Sequence, residues 1–169
     1  VVMGGAVLVA GNSSPTAEYN FFADPHAAKE VIASGANLTL IPLDVTHQVR
    51  MTGEEIAALS GSGSMERVQF FEQASRVVVE YGRSTGGFAG IHLHDPVAIG
   101  WTIAPDLFET EAFWLDVETD GTLTAGQVVV DRRKIDEAKR LGHRVRCVVR
   151  ARVQDFVSLF VKAVLGSGS

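Results

Sequence analysis

Cysteine is nearly absent from the sequence: Cys147 is the only one, so no disulfide bond can form within the chain. Such scarcity is typical of proteins from reducing compartments, and we expect a cytoplasmic location. Long apolar runs are also missing, because none reaches the roughly 18 residues of a membrane-spanning helix. Nor does the sequence show a cleavable signal pattern. We therefore expect no association with a membrane.

Positive charge is in deficit. The chain has 15 Lys and Arg residues against 20 Asp and Glu residues, which gives a net charge of −5. This balance argues against a nucleic-acid partner, and a solvated face explains the basic residues that gather between 132 and 152. A hydrophobic content of 46% in 169 residues suffices for one domain with a sizeable core. We expect a single domain over residues 1–165, followed by a flexible tail over 166–169.

Strand and helix signals alternate along the chain, which predicts the α/β class. We expect an open, mostly parallel, Rossmann-like sheet with flanking helices and an antiparallel hairpin toward the end. The apolar and β-branched runs predict strands over residues 1–9, 37–43, 113–119, 127–131 and 144–151. Helix-start residues and helical spacing predict helices over residues 25–34, 52–59, 65–81, 95–103 and 153–165.

Two glycine-rich segments interrupt this pattern. Residues 82–90 contain four glycines in nine positions, which predicts a mobile loop of the kind that covers a site. Residues 60–64, Ser-Gly-Ser-Gly-Ser, lie between two predicted helices and are either a natural loop or an engineered join.

Polar side chains gather in two places. Asn12, Glu18 and Asn20 lie in the loop after the first predicted strand, and His94 and Asp95 open a predicted helix. In an open α/β sheet, the loops at the carboxyl ends of strands form the ligand crevice, so we expect both groups to line one crevice. Their oxygens and amides suit a polyhydroxy ligand such as ribose. Two residues apart, Glu18 and Asn20 would point the same way in an extended segment.

Each of these residues also has a purely structural interpretation. Asn12 could be a turn residue with positive φ, and Glu18 could be exposed to solvent. Asp95 could be only a helix N-cap, and His94 a surface histidine. The remaining histidines have no distinguishing context beyond the position of Thr46-His47 at a strand end, and we expect them to be structural: His26, His47, His92 and His143.

A series of sequence blocks decides between these interpretations. They occur in this order: Met3-Gly-Gly-Ala6, Gly11-Asn12, Pro15-Thr-Ala-Glu18-Tyr-Asn20, Asp24-Pro-His-Ala-Ala28, Leu43-Asp-Val-Thr-His47, His94-Asp-Pro96, Val117-Glu-Thr-Asp-Gly121 and Leu123-Thr-Ala-Gly126. Together they resemble the inosine–uridine-type nucleoside hydrolases over nearly the whole chain. The resemblance implies an N-ribohydrolase that splits a ribonucleoside into base and ribose with a calcium-activated water.

The resemblance also implies a role for each candidate residue. Asp95 matches a calcium ligand that also binds ribose, and His94 matches a residue that protonates the leaving base. Asn12, Glu18 and Asn20 match residues that bind the ribose hydroxyls, and Met3 matches a residue that packs on the sugar. Tyr81 and residues 83–90 fall where the family has a mobile segment that closes over the base.

One part of the family pattern is missing. The family's amino-terminal motif, Asp-x-Asp-x-Gly-x-Asp-Asp, is absent from this sequence. In the family it supplies the catalytic base and most of the calcium carboxylates. Family members are close to twice this length, so the chain looks like a carboxyl-terminal half. Calcium takes six to eight oxygen ligands, so we expect Ca²⁺ binding to need ligands absent from this chain and expect no activity from the chain alone.

Two kinds of protein fit these observations. The first is half of an enzyme, active with the missing amino-terminal half or another chain as its partner. The second is a non-catalytic or engineered fragment that keeps the fold and associates with itself. A truncated sheet exposes a strand edge and an apolar face, so we expect a homo-oligomer.

Overall fold

A computed structural model describes residues 1–60, 63–85 and 87–166. The strands in these ranges are β1 (Val2–Met3), β2 (Thr39–Ile41), β3 (Arg50–Thr52), β4 (Gly90–His92), β5 (Phe108–Val117), β6 (Val128–Val130) and β7 (His143–Ala151). The α-helices are α1 (Tyr19–Ala23), α2 (Pro25–Ala33), α3 (Leu43–Thr46), α4 (Gly53–Ala57), α5 (Met65–Thr85), α6 (His94–Ile103) and α7 (Val153–Leu165). The expected tail and the Ser-Gly-Ser-Gly-Ser segment fall partly outside the described residues.

The main sheet has five strands in the order β1-β2-β7-β5-β6. β2 pairs in parallel with both β1 and β7, whereas β5 pairs in an antiparallel way with both β7 and β6. The α/β class is therefore confirmed, and the sheet is mixed, with parallel pairing confined to the β1-β2-β7 side. β3 and β4 form a separate antiparallel pair.

The first strand is shorter than the sequence predicts. It covers Val2–Met3 instead of residues 1–9, because Gly5 takes a φ of +76° and turns the chain out of the sheet. Beyond this turn, the backbone N–H groups of Val7 and Leu8 donate to the Asp44 carboxylate at 2.9 and 2.7 Å. A contact 37 residues away in sequence thus converts the rest of an apolar run into a loop at the carboxyl end of β1.

Helix ends with local capping chemistry form where the sequence predicts them. Asp24 caps α2 by accepting a hydrogen bond from the backbone N–H of Ala27 at 2.9 Å, and Pro25 is its first residue. Thr52 and Glu55 form the predicted capping box of α4. α7 spans the predicted residues.

The glycine-rich segment 82–90 is partly helical. α5 runs through Tyr81 to Thr85, so the predicted loop loses its first residues to this helix. Gly82 allows the chain to fold back, since a Cβ there would lie 2.0 Å from the backbone oxygen of Phe88. Gly90 already belongs to β4.

The core has one apolar cluster on each side of the sheet. Leu40 and Ile41 are both fully buried, and because neighbouring strand residues face opposite ways, each joins a different cluster. Phe156 of α7 packs against α6 at Gly100, where an added Cβ would lie 2.1 Å from its ring. This close packing fixes α6, the helix that begins with His94. None of the helices in the described residues is both long and apolar enough to span a membrane.

Candidate active site

Glu18 holds the loop between β1 and α1 together. Its Oε2 accepts hydrogen bonds from the backbone N–H groups of Gly5 at 2.9 Å and Phe21 at 3.1 Å. Its Oε1 accepts one from the backbone N–H of Asn20 at 2.8 Å, so Glu18 is the N-cap of α1. The residue is only 2% exposed, so its interpretation as a solvent-exposed residue is wrong.

Asn20 lies in the first turn of α1, so the expectation that it and Glu18 share one side of an extended segment is wrong. The side-chain amide of Asn20 donates to the backbone oxygen and the sulfur of Met3, both at 3.3 Å. Asn12 is exposed, and its Oδ1 accepts from the backbone N–H of Tyr19 at 3.0 Å. Positive φ angles in the described residues occur only at glycines, so the alternative interpretation of Asn12 as a turn residue with positive φ is wrong.

His94 and Asp95 are the first two residues of α6. Leu93 occupies the N-cap position and makes no side-chain cap bond, so the interpretation of Asp95 as an N-cap is wrong. Asp95 lies exposed in the first helical turn, where its negative charge interacts favourably with the positive end of the helix dipole. His94 is half-buried, and its Nδ1 lies 2.8 Å from Oγ1 of Thr46. Because α6 packs beside β1, His94 and Asp95 lie next to the strand that carries Met3.

The surroundings of His94 favour its neutral form. Burial lowers the pKa of His94 below its usual 6.5, and the neighbouring His47 lowers it further. Glu18 and Asp95 are close enough to oppose this shift, which brings the two predicted polar groups into one electrostatic environment. The folded environment therefore favours the uncharged imidazole, which has one donor and one acceptor nitrogen.

Two further histidines lie beside His94. Its ring centroid is 5.8 Å from that of His47 and 5.5 Å from that of His92. Burial, together with His47, His94 and Arg50, lowers the pKa of His92 to about 4. These two rings and Thr46 are features of the site that sequence reasoning missed. The Leu43–His47 block was the one available signal, but nothing in it indicates which distant residue it contacts.

Two clefts in the described residues differ in their relation to the candidate site, because only the smaller one is bordered by candidate residues. A cleft of about 670 Å³ lies along β5 and β6, away from the candidate residues. Its cations are already engaged: Lys29 pairs with Asp116 at 3.1 Å, and Arg132 donates to the backbone oxygen of Val7 at 2.9 Å. A smaller cavity of about 200 Å³ is bordered by Met3 and Asn20, at the side of the loop that Glu18 supports.

A calcium ion does not fit the described residues alone. Asp95 supplies one exposed carboxylate, and both oxygens of Glu18 already accept backbone N–H bonds. Over residues 1–60, 63–85 and 87–166, no group of three or more His, Cys, Asp or Glu residues is placed to hold a metal ion. Calcium requires six to eight oxygen ligands, so this donor set is too small.

Comparison with known proteins now identifies the family. The profile of the inosine-uridine preferring nucleoside hydrolases matches residues 1–158. The chain belongs to this family. The pyrimidine-specific ribonucleoside hydrolase RihA of Shewanella baltica is 39% identical over 135 residues, which is 80% of this chain and 42% of that protein. RihA of Citrobacter koseri is 37% identical over 131 residues, 78% of this chain and 42% of that protein.

Solved nucleoside hydrolases share the fold. A plant nucleoside hydrolase superposes with a TM-score of 0.85 at 27% identity, over 97% of this chain and 52% of its own. A purine-preferring ribonucleoside hydrolase from Gardnerella vaginalis gives a TM-score of 0.82 at 27% identity, over 97% and 51%. The chain thus spans about half the length of the family members it matches.

Proposed function

We propose that this chain is part of an enzyme that hydrolyses the N-glycosidic bond of ribonucleosides to release base and ribose. The observation that carries the proposal is the meeting of two groups of side chains at one end of β1. His94 and Asp95 begin α6, and Glu18 acts on the pKa of His94 while its hydrogen bonds organise Gly5 and Asn20. This juxtaposition supports a site in which a donor for the base lies beside an oxygen-rich surface for the sugar.

In this proposal His94 assists departure of the base. Loss of the base leaves negative charge on the leaving group, which a hydrogen bond donated by the imidazole N–H stabilises. The ring is half-buried and held through Nδ1, so its Nε2 is the nitrogen available to the base. In this proposal the ribose is bound by Met3, Asn12, Glu18, Asn20 and Asp95.

Asp95 is proposed as one ligand of a calcium ion, with its other ligands outside residues 1–169. Its carboxylate is exposed, so it is accessible to groups from elsewhere. When bound, the ion would activate a water and orient the ribose hydroxyls. This arrangement explains why the described residues do not complete a calcium site.

The proposed substrates include both purine and pyrimidine ribonucleosides. The curated relatives from Shewanella and Citrobacter are named pyrimidine-specific, whereas the Gardnerella relative is named purine-preferring. A histidine donor serves both classes, because purines offer a ring nitrogen and pyrimidines a carbonyl oxygen as acceptors.

Self-association is a second proposal, and it rests on the outer side of α5. Phe70, Val77 and Tyr81 follow one another at helical spacing and are 73%, 71% and 68% exposed. Sedimentation over a range of concentrations tests this proposal, and a clean monomer throughout would count against it.

The role of His94 can be tested with two substrates in the complete protein. His94→Ala should lower turnover of inosine by about 10²- to 10³-fold, the usual cost of removing a hydrogen-bond donor to a developing negative charge. It should affect a nitrophenyl riboside much less, because nitrophenolate leaves without a proton. The matched control is His26→Ala, which removes an exposed histidine of α2. Equal losses on both substrates would contradict the role of His94 in departure of the base.

A further inference from the structure

We propose that Thr46 is a positioning residue for His94: its hydroxyl donates a hydrogen bond to Nδ1 and so keeps the ring proton on Nε2. Oγ1 of Thr46 and Nδ1 of His94 are 2.8 Å apart, although the residues are 48 positions apart in sequence. The purpose of this contact rests on the proposed function, but the tautomer is a property of this chain alone.

Thr46 has no solvent to satisfy its hydroxyl, since the residue is 0% exposed. Its backbone groups are already used: its N–H donates to Pro42, and its carbonyl oxygen accepts from Val49. Within the described residues, Nδ1 of His94 is the only hydrogen-bond partner of the hydroxyl. The direction of this one bond therefore decides whether the hydroxyl hydrogen is satisfied.

Two directions are possible for the bond. If Nδ1–H donated to Thr46, the hydroxyl hydrogen would remain unpaired in the interior, which is unfavourable. If the hydroxyl donates to Nδ1, both groups are satisfied. A neutral imidazole carries a single ring proton, so this second arrangement places it on Nε2.

The helix that carries Thr46 is fixed on several sides. Asp44 accepts from the backbone N–H groups of Val7 and Leu8, and Gln48 donates to the backbone oxygens of Asp44 at 2.7 Å and Val149 at 2.8 Å. The hydroxyl therefore has a defined position against which the ring is oriented.

This tautomer suits the departure of a nucleobase. With the proton on Nε2, His94 offers a donor to the ring nitrogen of a purine or the carbonyl oxygen of a pyrimidine. The other tautomer would present a lone pair to the acceptor and repel it. Thr46 thus acts on the base through His94 without contacting it.

The tautomer can be read directly by NMR. The chain is labelled with ¹⁵N at its histidines, and long-range ¹H–¹⁵N spectra are recorded about two pH units above the ordinary histidine pKa of about 6.5. The His94 signals are identified by their absence from the spectrum of His94→Gln. We expect a protonated Nε2 and an unprotonated Nδ1 in the wild type. A wild-type ring with its proton on Nδ1 overturns the proposal, whatever the Thr46 variants show.

Two variants separate the hydroxyl from the shape of the side chain. Thr46→Val replaces the hydroxyl by a methyl group and should shift both His94 nitrogen signals toward the averaged position of a mixed tautomer. Thr46→Ser keeps the hydroxyl and should retain the wild-type pattern. An unchanged spectrum in Thr46→Val would overturn the role of the hydroxyl.

Turnover by the complete protein gives an independent readout. Thr46→Val should lower kcat for inosine by about tenfold with little change in KM, a fraction of the loss expected when the donor itself is removed. Thr46→Ser should restore it, and the nitrophenyl riboside should respond to neither variant. Equal losses on both substrates overturn the positioning role. If no form hydrolyses nucleosides, the proposed function fails, whereas the NMR spectra still decide the tautomer.

Discussion

At the scale of single residues, Glu18 combines a structural task with a place in the proposed site. Its carboxylate accepts three backbone N–H bonds, from Gly5, Asn20 and Phe21, and it is almost completely buried. Hydrogen bonds to a charged acceptor are among the stronger ones, and their loss leaves buried donors unpaired. The loop that borders Met3 and the start of α1 therefore depend on this one side chain.

Glu18→Ala should lower the free energy of unfolding by about 2–4 kcal/mol, because two buried N–H groups and one partly buried N–H group lose their acceptor. Urea unfolding followed by circular dichroism measures this change. Glu30→Ala, at an exposed position of α2, serves as the matched control and should stay within about 0.5 kcal/mol of the wild type. Similar stabilities of the two variants would refute the structural role of Glu18.

At the scale of elements, the contact between α6 and α7 positions His94 and Asp95. The absence of a side chain at Gly100 lets one face of α6 pack directly against the ring of Phe156, which is 2% exposed. Any side chain at position 100 must displace this ring or the helix. The orientation of the α6 amino terminus is thus set by packing about two turns away from it.

Gly100→Ala should lower the free energy of unfolding by about 1–3 kcal/mol, because the added methyl group overlaps the Phe156 ring. Ile103→Ala changes an exposed residue of the same helix and should have an effect within about 0.5 kcal/mol. Chemical denaturation of both variants tests this. A neutral or stabilising Gly100→Ala would show that the interface adapts more freely than its geometry indicates.

Local chemistry explains which elements the sequence could predict. α2, α4 and α7 follow from capping residues and apolar spacing, which act within a few residues of each other. The predicted first strand is too long because the chain turns out of the sheet at Gly5 and Asp44, 37 residues from Val7, holds the next residues in a loop. Local signals also do not predict the contact between the short helix α3 and His94, because Thr46 and His94 are 48 positions apart in sequence. The candidate residues were found from ordered blocks, but their contacts were not.

At the scale of the whole molecule, three neighbouring histidine rings couple the fold to pH. Burial is the leading cause that lowers the pKa of His47, His92 and His94, so the folded state favours their neutral forms. The unfolded chain binds more protons wherever the pH lies below the unfolded pKa and above the folded one. The stability that the neutral rings support is therefore complete above about pH 6.5 and is lost as the pH falls toward the folded values.

For His92 this window lies between pH 6.5 and about 4. We expect the urea midpoint of the wild type to fall across it, and His92→Gln to fall less steeply, because glutamine takes up no proton. His26→Gln, at an exposed position, should keep the wild-type slope. Parallel slopes for wild type and His92→Gln would contradict the contribution of this ring.

The whole molecule also limits what the site can do. The chain matches 42% of the Shewanella baltica relative, and the described residues provide Asp95 but no complete group of metal ligands. The family, the fold and the convergence around His94 are consistent with one part of an active site. The catalytic base and the remaining calcium ligands are proposed to lie outside residues 1–169.

The most direct test measures inosine and uridine hydrolysis with and without calcium. The purified chain is assayed alone and after co-expression with the part of the Shewanella baltica relative that lies outside the matching region. Our account predicts no turnover by the chain alone and calcium-dependent turnover when the second part is present. Calcium-dependent turnover by the chain alone would contradict the claim that His94 and Asp95 belong to an incomplete site.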